Sequence, residues 1–552
     1  MPTLRQKQVD QLAFYIANPK CLDTSHPGTG KTPPVCVYSY WHWLKNQKKT
    51  LWTMPKSLLK KNLKEMLRFT DFEPEDVVIL RTDRANMTKD YTGPTINAVR
   101  KKRGFVVNYN GQRTDTIAIR ETIGQPVNFV YMTIVADILD VGPSFKFVET
   151  PLNKPSKNGQ TIVVEPVFGP DGVTPKVIKL DEIQTFKDLI KQNANAKVFI
   201  TTFKFGSNHW QRLLEAAPDI DLFISDELHM PGGYSTPETK TTESFFWINK
   251  HVSRFVGMTG TLINGRLDSA FPSLHVIEPR YYGDLNGFML EHAAVTDDYG
   301  RVIVWKNEDR LRKILEKHSI QRTFEEVYGK EDVVFFTEYV DIGEEVEPFY
   351  AEFHEQAMLE LEDGRVLDGQ MAGVAQIRAR QILAHPETMF NNIPQWTPKD
   401  ERVQIHLSEG KKTLIFASLK PEQERLVRVA EDMGLRVGLV NSDVTGKARE
   451  RVDELAQAGL LDVIVASGPT AAVGFNWEMF DVVIFASVDF MDTNILQAYR
   501  RASRGTRTST LRVIYIRYRD TIEDRMYAIL TAKSQLANLV DPSRPVLTFS
   551  EE

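Results

Sequence analysis

Only two cysteines, Cys21 and Cys36, occur in this chain of 552 residues. That scarcity excludes a disulfide scaffold and any four-cysteine zinc site, and both read as small buried apolar residues. No apolar stretch is long enough to span a bilayer. The opening MPTLRQKQVDQLAFY lacks the uninterrupted apolar core of a signal peptide, so the expectation is a protein of the cytoplasm or nucleus with no membrane partner. Fixed-period repeats and low-complexity tracts are also lacking. Nor is there an excess of positive charge: the formal net charge is −5. A groove for nucleic acid therefore has to come from local clusters. Those clusters are Lys56 with Lys60, Lys61 and Lys64, then Arg100, Lys101, Lys102 and Arg103, then the arginine run of 500–519. Such runs are usually solvated faces, and they gain meaning only from the motifs beside them.

Hydrophobic residues at 42% and charged residues at 26% describe an ordinary globular protein, with length for about three or four domains. Short apolar runs alternate with helical patterns, the signature of parallel α/β structure. The runs at 50–54, 197–202, 222–225, 254–258, 413–417, 437–440, 462–466, 481–486 and 512–517 read as buried strands. They fall into two sets, which predicts two doubly wound parallel-sheet lobes with ligands at the carboxyl ends of their strands. Residues 1–277 form the first lobe and 333–552 the second, with a helical insertion at 278–332 between them and another at about 343–400. At about 89–190 the texture is β-rich, with a hairpin signature at Asn110-Gly111 and further turns at Asn158-Gly159 and Pro170-Asp171-Gly172.

The string SHPGTGKT at 25–32 has the form of a phosphate-binding loop. Backbone N–H groups around Gly28, Thr29 and Gly30 can point at phosphate oxygens, Lys31 can reach the β- and γ-phosphates, and the Thr32 hydroxyl can ligate Mg²⁺. Ser25 stands where the general pattern has its first glycine. A strand-like lead-in at 21–24 and a helix-like continuation from Val35 fit a loop whose helix dipole faces an anion. An ordinary Gly-Thr-Gly turn is the other reading of these residues alone.

Further along, DLFISDELH ends an apolar run in two adjacent carboxylates. Asp226 would hold the Mg²⁺ shell while Glu227 orients and deprotonates an attacking water; a solvated acidic turn is the alternative. In QAYRRASR, Gln497, Arg501 and Arg504 recur at helical spacing and share one face. A guanidinium reaching a γ-phosphate from a second lobe acts only when the lobes close. A basic DNA-facing helix uses the same residues and is the reading that suits Arg500 and Arg507.

In chain order, LRQKQ, SHPGTGKT, TMPKSLLKKN, VFITTF, DELH, GMTGTLINGRLDSAF, KTLIFASLK, AAVGFNW and QAYRRASR resemble a superfamily-two helicase or translocase, and more narrowly the Swi/Snf group. ARQILAHP resembles that group's Arg-x-x-Cys-x-His-Pro segment, with Leu383 in place of the cysteine. Two further departures are Ala471-Ala472, where the group has paired glycines, and Ser503-Arg504-Gly505-Thr506, where it has His-Arg-Ile-Gly. The resemblance implies two RecA-like lobes and ATP with Mg²⁺ as cofactors. It implies that Gln8 recognises adenine, that Gly30, Lys31 and Thr32 meet phosphates and metal, and that Arg501 and Arg504 meet the γ-phosphate. Thr259 and Thr261, with Gly474 and Asn476 from the second lobe, would couple hydrolysis to lobe movement. Lys56, Ser57, Thr202 and Ser418 would face the nucleic-acid backbone, and Asn476 is placed with them.

Hydroxyls and amides on one strand's phosphates track a backbone without reading bases, so the expected activity is sequence-independent movement on DNA. The interval between Asn476 and Gln497 has little room for a strand-separating hairpin, which favours a duplex translocase. The insertion is either a wedge for branched DNA, with the basic residues 100–103 at the base of its hairpin, or a surface decoration. A compact enzyme of this kind resembles bacterial or bacteriophage enzymes that remodel replication forks and recombination intermediates. An RNA-dependent ATPase shares the same engine and remains the alternative.

Overall fold

The computed structural model describes residues 2–80, 96–101, 104–109, 112–113, 145–148, 161–166, 193, 195–229, 233–298, 300–360, 366–368, 371–391, 393–444, 447–471, 475–503, 507 and 509–549. Two compact units emerge, one of residues 80–194 and one of everything else.

In the larger unit, the first parallel sheet takes β1 (Lys20–Asp23), β2 (Lys49–Met54) and β3 (Val77–Leu80) from before the smaller unit. The smaller unit contributes β4 (Ile96–Lys101), β5 (Gly104–Tyr109), β6 (Gln112–Arg113), β7 (Phe145–Val148) and β8 (Thr161–Pro166) to a sheet of its own. The chain then adds β9 (Val198–Thr202), β10 (Ile220–Asp226) and β11 (Arg254–Met258), an antiparallel pair β12 (Ala293–Thr296) and β13 (Val302–Trp305), and the two-residue β14 (Ser319–Ile320). The order across the first sheet is β14-β1-β11-β10-β2-β9-β3. Its strands are apolar almost throughout, as a parallel sheet covered on both faces requires. Trp52, Ile200, Ile224 and Val256 are buried in it, with Tyr15, Val35 and Cys36 packed on one face.

Another parallel sheet takes β15 (Val333–Val340), an antiparallel pair β16 (Met358–Glu360) and β17 (Val366–Asp368) set apart from it, then β18 (Thr413–Phe416), β19 (Val437–Val440), β20 (Val463–Ala466), β21 (Val482–Phe485) and β22 (Leu511–Tyr518). Its order is β15-β22-β21-β18-β20-β19. Separate apolar clusters cover its two faces, one around Trp477, Phe485 and Tyr515 and the other around Ile415, Val465 and Ile514. The fold is thus two RecA-like parallel-sheet α/β lobes. All the strands read from apolar runs are present, and both cysteines are buried.

Two segments differ from their helical expectation. Residues 278–332 carry helices Leu285–His292, Glu308–His318 and Phe324–Tyr328, yet they also form the β12–β13 pair and lay β14 parallel to β1. A two-residue strand is too short to show a period of 2, so the sequence carries no sign of it. Residues 343–400 hold helices Glu347–Gln356 and Ala372–Ala384 together with the β16–β17 pair, around a core that includes Tyr350, Phe353, Ile382 and Leu383. Leu383 fills an apolar site, which accounts for an apolar side chain at that position.

The smaller unit is an antiparallel sheet of order β6-β5-β4-β8-β7. In it β5 pairs with β6 on either side of Asn110-Gly111, and β4 pairs with β5 on either side of residues 102–103. Those two turns, Asn158-Gly159 and Pro170-Asp171-Gly172 lie outside the described residues.

Candidate nucleotide site between two lobes

The loop 24–31 leaves the carboxyl end of β1 and enters helix Thr32–Asn46, whose first turn carries Pro33 and Pro34. Proline costs nothing there, because the first N–H groups of a helix have no intrahelical partner. Gly28 and Gly30 take φ of +85° and +90°, a region that penalises any Cβ. At Gly30 a Cβ would also meet Arg5 Nη2 at 2.8 Å and Gln8 Nε2 at 2.9 Å. The loop is gripped from outside by its carbonyls. Gln8 Nε2 donates to Gly30 O at 3.0 Å, Arg5 Nη2 to Thr29 O at 3.2 Å, and the Tyr328 hydroxyl to Gly28 O at 3.0 Å. Lys31 Nζ donates to Ser25 O at 2.6 Å and His26 O at 3.2 Å.

Ser25 in the first-glycine position has its own work. Its Oγ accepts from the Arg322 amide at 3.0 Å and from Gln11 Nε2 at 3.3 Å, while its N–H donates to Asp23 Oδ1 at 2.9 Å. Asp23 is fully buried and also accepts from Gln11 Nε2 at 2.8 Å and from the Tyr15 hydroxyl. Gln8, Gln11 and Tyr15 are the buried residues of the first helix, at i, i+3 and i+7. A buried polar stripe at helical spacing is the signal by which Gln11 and Tyr15 were open to discovery.

At the end of β10, Asp226 accepts from Asn62 Nδ2 at 3.0 Å. Burial, reinforced by the neighbouring Glu227, pushes the Asp226 carboxyl up to about 7, against an opposing pull from Lys31. Glu227 sits at φ +54°, a costly conformation for a glutamate. Its Oε2 is buried without a hydrogen-bond partner and lies 3.5 Å from His229 Nδ1. Two adjacent carboxylates short of counter-charge, beside a lysine and a Thr32 at a helix start, fit a Mg²⁺-bound triphosphate.

His229 carries the site across to the second lobe. Its Nε2 accepts from Gln497 Nε2 at 2.7 Å, which leaves the proton on Nδ1 to donate to Thr259 Oγ1 at 2.7 Å. Thr259 Oγ1 also accepts from the Thr261 amide at 3.1 Å. Burial lowers the His229 pKa, in keeping with a neutral ring. Gln497 belongs to helix Asp492–Tyr499, and Arg501 follows it, buried, with Nη1 3.4 Å from Phe475 O. Arg504 and Gly474 lie outside the described residues.

Of the residues expected to face nucleic acid, Lys56, Ser57, Thr202 and Ser418 lie at the carboxyl ends of strands. Lys56 and Ser57 are exposed just after β2. On the adjacent β9, Thr202 pairs with Met54 and caps helix Phe203–Ala216, its Oγ1 accepting from the Phe205 amide at 3.2 Å. Ser418 follows β18, where its N–H donates to Ser487 Oγ at 2.9 Å, and Asn476 is exposed.

Among the described residues, most arginines of the run are committed to partners within the protein. Arg500 is buried, 7% exposed, and Arg507 is locked onto the Glu478 and Phe480 carbonyls and Asp481. Arg512 pairs with Glu409, Arg517 with Asp524 and Arg519 with Asp341. These acidic partners lie far away in sequence or beyond the run, so a local count of charge could not reveal them.

Among the described residues no helix is long and apolar enough to cross a membrane. Residues 398–506 match the helicase conserved C-terminal domain. A Chromodomain-helicase-DNA-binding protein 1-like of Mus musculus is 30% identical over 141 residues, 26% of this chain and 16% of that protein. A SWI/SNF-related matrix-associated actin-dependent regulator of chromatin subfamily A-like protein 1 of Drosophila melanogaster is 22% identical over 364 residues, 62% and 44% of the two chains. An ATP-dependent RNA helicase RhlB of Xanthomonas axonopodis is 38% identical over 80 residues, 13% and 14% of the two chains. The chain therefore spans less than half the length of each of these relatives. The Sulfolobus solfataricus SWI2/SNF2 ATPase core, solved in complex with dsDNA, aligns with 98% of this chain and 94% of its own at 15% identity and a TM-score of 0.36. The chain is therefore similar to helicase-type proteins of the Swi/Snf-related kind, with a match to the helicase conserved C-terminal domain at residues 398–506.

Proposed function

We propose that the chain is a nucleic-acid-dependent ATPase that translocates along duplex or branched DNA. The observation that carries this reading is the Gln497–His229 contact, which ties the helix leading to Arg501 to the carboxylate pair of the other lobe. In this reading the loop amides and Lys31 hold the triphosphate, and Thr32 and Asp226 hold Mg²⁺, which supplies charge neutralisation of the phosphates. Glu227 Oε2 orients the attacking water and takes its proton. Arg501 and Arg504 stabilise charge on the transferred phosphoryl group when the lobes close, a contribution of about 10³ or more in rate. Gln8, whose Nε2 bonds Gly30 O beside the loop, recognises adenine in this reading. Closure is reported through His229 to Thr259 and Thr261, and Gly474 and Asn476 answer from the second lobe.

Lys56, Ser57 and Thr202 on one lobe and Ser418 and Asn476 on the other would hold successive phosphates of one strand. Alternate closing and opening then steps the protein along it. Fork remodelling, branch migration and recombination are the tasks we assign to such a motor. A triplex-displacement assay tests it: a third strand released from duplex DNA only with hydrolysable ATP supports translocation, and a third strand retained under conditions of rapid hydrolysis refutes it. The 80-residue likeness to an RNA helicase favours a second reading, RNA-dependent ATP hydrolysis. Stimulation by RNA with none by DNA would replace the first reading with the second.

A further inference from the structure

After its last helix, Ile522–Val540, the chain runs back over the junction of the two lobes, and this tail is bonded to both. On the first-lobe side, the Phe324 amide donates to His26 Nδ1 at 3.2 Å, which makes Nε2 the protonated nitrogen and a donor to Ser543 Oγ at 3.1 Å. Ser543 Oγ in turn donates to Asp541 Oδ1 at 2.6 Å, and Asp541 Oδ2 accepts from Gln321 Nε2 at 2.9 Å. His26 is the second residue of the phosphate loop, so the tail is hydrogen-bonded to the loop itself. Burial, with help from Arg500, Lys31 and Arg544, lowers the His26 pKa to about 3, so the donor and acceptor roles are fixed at neutral pH.

Arg544 is the crossing point. Its Nη1 donates to Ile263 O, in the loop that carries Thr259 and Thr261, and its Nη2 to Asp492 Oδ2, each at 2.5 Å. Asp492 is the first residue of the helix that bears Gln497 and leads to Arg501. Arginine and aspartate are 5% and 0% exposed, so this is a fully desolvated pair whose strength depends on both partners. Beyond it, Leu547 and Phe549 are buried in the second-lobe core, with Phe549 edge-on to Tyr515 and Tyr527. The tail is thus anchored in one lobe and latched to the other by named polar contacts.

We propose that residues 541–549 are a clasp and that Arg544 is a positioning residue, holding helix Asp492–Tyr499 against the Thr259–Ile263 loop so that the second-lobe arginines meet the phosphate loop in register. This deepens the ATPase reading and rests on it for its kinetic consequence. The clasp touches no phosphate, so it acts on the rate of turnover through Arg501 and leaves the grip of Lys31 and the loop on nucleotide in place.

The test compares Arg544→Met, which strands the Asp492 carboxylate, with Arg544→Met combined with Asp492→Ala, which removes both charges. Three quantities are read on the full chain: thermal midpoint, kcat and KM for ATP with duplex DNA, and interlobe distance by energy transfer. Dyes are placed on Leu44→Cys and Leu460→Cys, which are 58% and 48% exposed, while native Cys21 and Cys36 are buried. The expected result is a loss in kcat of about five- to a hundredfold in both variants. KM stays within about twofold, and the midpoint recovers in the double variant while kcat and the short interlobe distance do not. Recovery of kcat together with the midpoint reduces Arg544 to a structural role and overturns the proposal. So does an unchanged interlobe distance in both variants. If the unsubstituted protein shows no DNA-stimulated hydrolysis, the ATPase reading fails by itself, and the interlobe distance still decides whether the clasp exists.

Discussion

Gln497 Nε2 stands 2.7 Å from His229 Nε2, a hydrogen bond between the second-lobe helix that leads to Arg501 and the residue two places after Glu227. Because an amide nitrogen only donates, the bond fixes the His229 tautomer and aims its other nitrogen at Thr259 Oγ1. One neutral imidazole therefore senses the second lobe, the acidic pair and the Thr259–Thr261 turn together. His229→Ala strands the buried Gln497 amide, while Thr259 Oγ1 keeps its bond from the Thr261 amide, and should lower stability by about 1–3 kcal/mol. In a double-mutant cycle, His229→Ala and Gln497→Ala should be non-additive in DNA-stimulated kcat, with a coupling of about 0.5–3 kcal/mol. Additive effects would show that the contact carries no signal.

Glu227 combines a strained backbone with a buried oxygen that has no hydrogen-bond partner. Glu227→Gln keeps the side chain's shape and removes its basicity, so nucleotide binding should persist while kcat falls by about 10²–10⁴. Glu227→Gly should abolish turnover as well, yet raise unfolding free energy by about 1 kcal/mol as the φ penalty is relieved. Equilibrium denaturation and a fluorescent-nucleotide titration read the two effects separately.

Gly260 is where the Thr259–Thr261 turn meets the phosphate loop. A Cβ there would lie 2.6 Å from Pro27 Cδ and 3.1 Å from the Pro27 backbone nitrogen. Gly260→Ala should therefore displace the loop, costing about 1–3 kcal/mol. We expect nucleotide affinity to weaken about tenfold, equivalent to ~1.4 kcal/mol. Unaltered affinity, measured by the same titration, would show that the loop tolerates the push.

Acid should destabilise this fold before its carboxylates titrate. Burial holds His26 at about 3 and both His42 and His385 at about 4. Below the ordinary histidine value of about 6.5, the unfolded chain binds protons that the folded one refuses, so stability falls as pH falls. Each histidine contributes a slope approaching about 1.4 kcal/mol per pH unit. Asp226, raised to about 7, works in the opposite direction, so the measurement is made in an Asp226→Asn background. Denaturant melts between about pH 7 and pH 5 should steepen accordingly, and His385→Asn should remove one histidine's share.

Much of the architecture was legible because buried parallel strands appear as short apolar runs. The strands at Arg254–Met258 and Val437–Val440 coincide with the runs from which they were read. The string at 25–32 and the pair Asp226-Glu227 stand out in the sequence for a different reason: each is a local string with its own chemistry. What was hidden depends on distance along the chain. Asn62 supports Asp226 from 164 residues away, and Ser543 reaches His26 across 517. Nothing in KKNLKE or DPSRPV marks such partners. The arginine run misled for the same reason, since Arg507 and Arg512 spend their charge on Asp481 and Glu409. Glu227's left-handed backbone has no sequence signal either, because glutamate is an unfavourable residue there.

Steady-state ATP hydrolysis with single-stranded, duplex, forked and four-way DNA and with RNA, run beside Glu227→Gln, decides whether the chain is a DNA-driven motor. We expect hydrolysis stimulated most by duplex or branched DNA, independent of sequence, weakened by salt and reduced at least about a hundredfold in the variant. Hydrolysis indifferent to every nucleic acid, or retained by Glu227→Gln, would contradict that expectation.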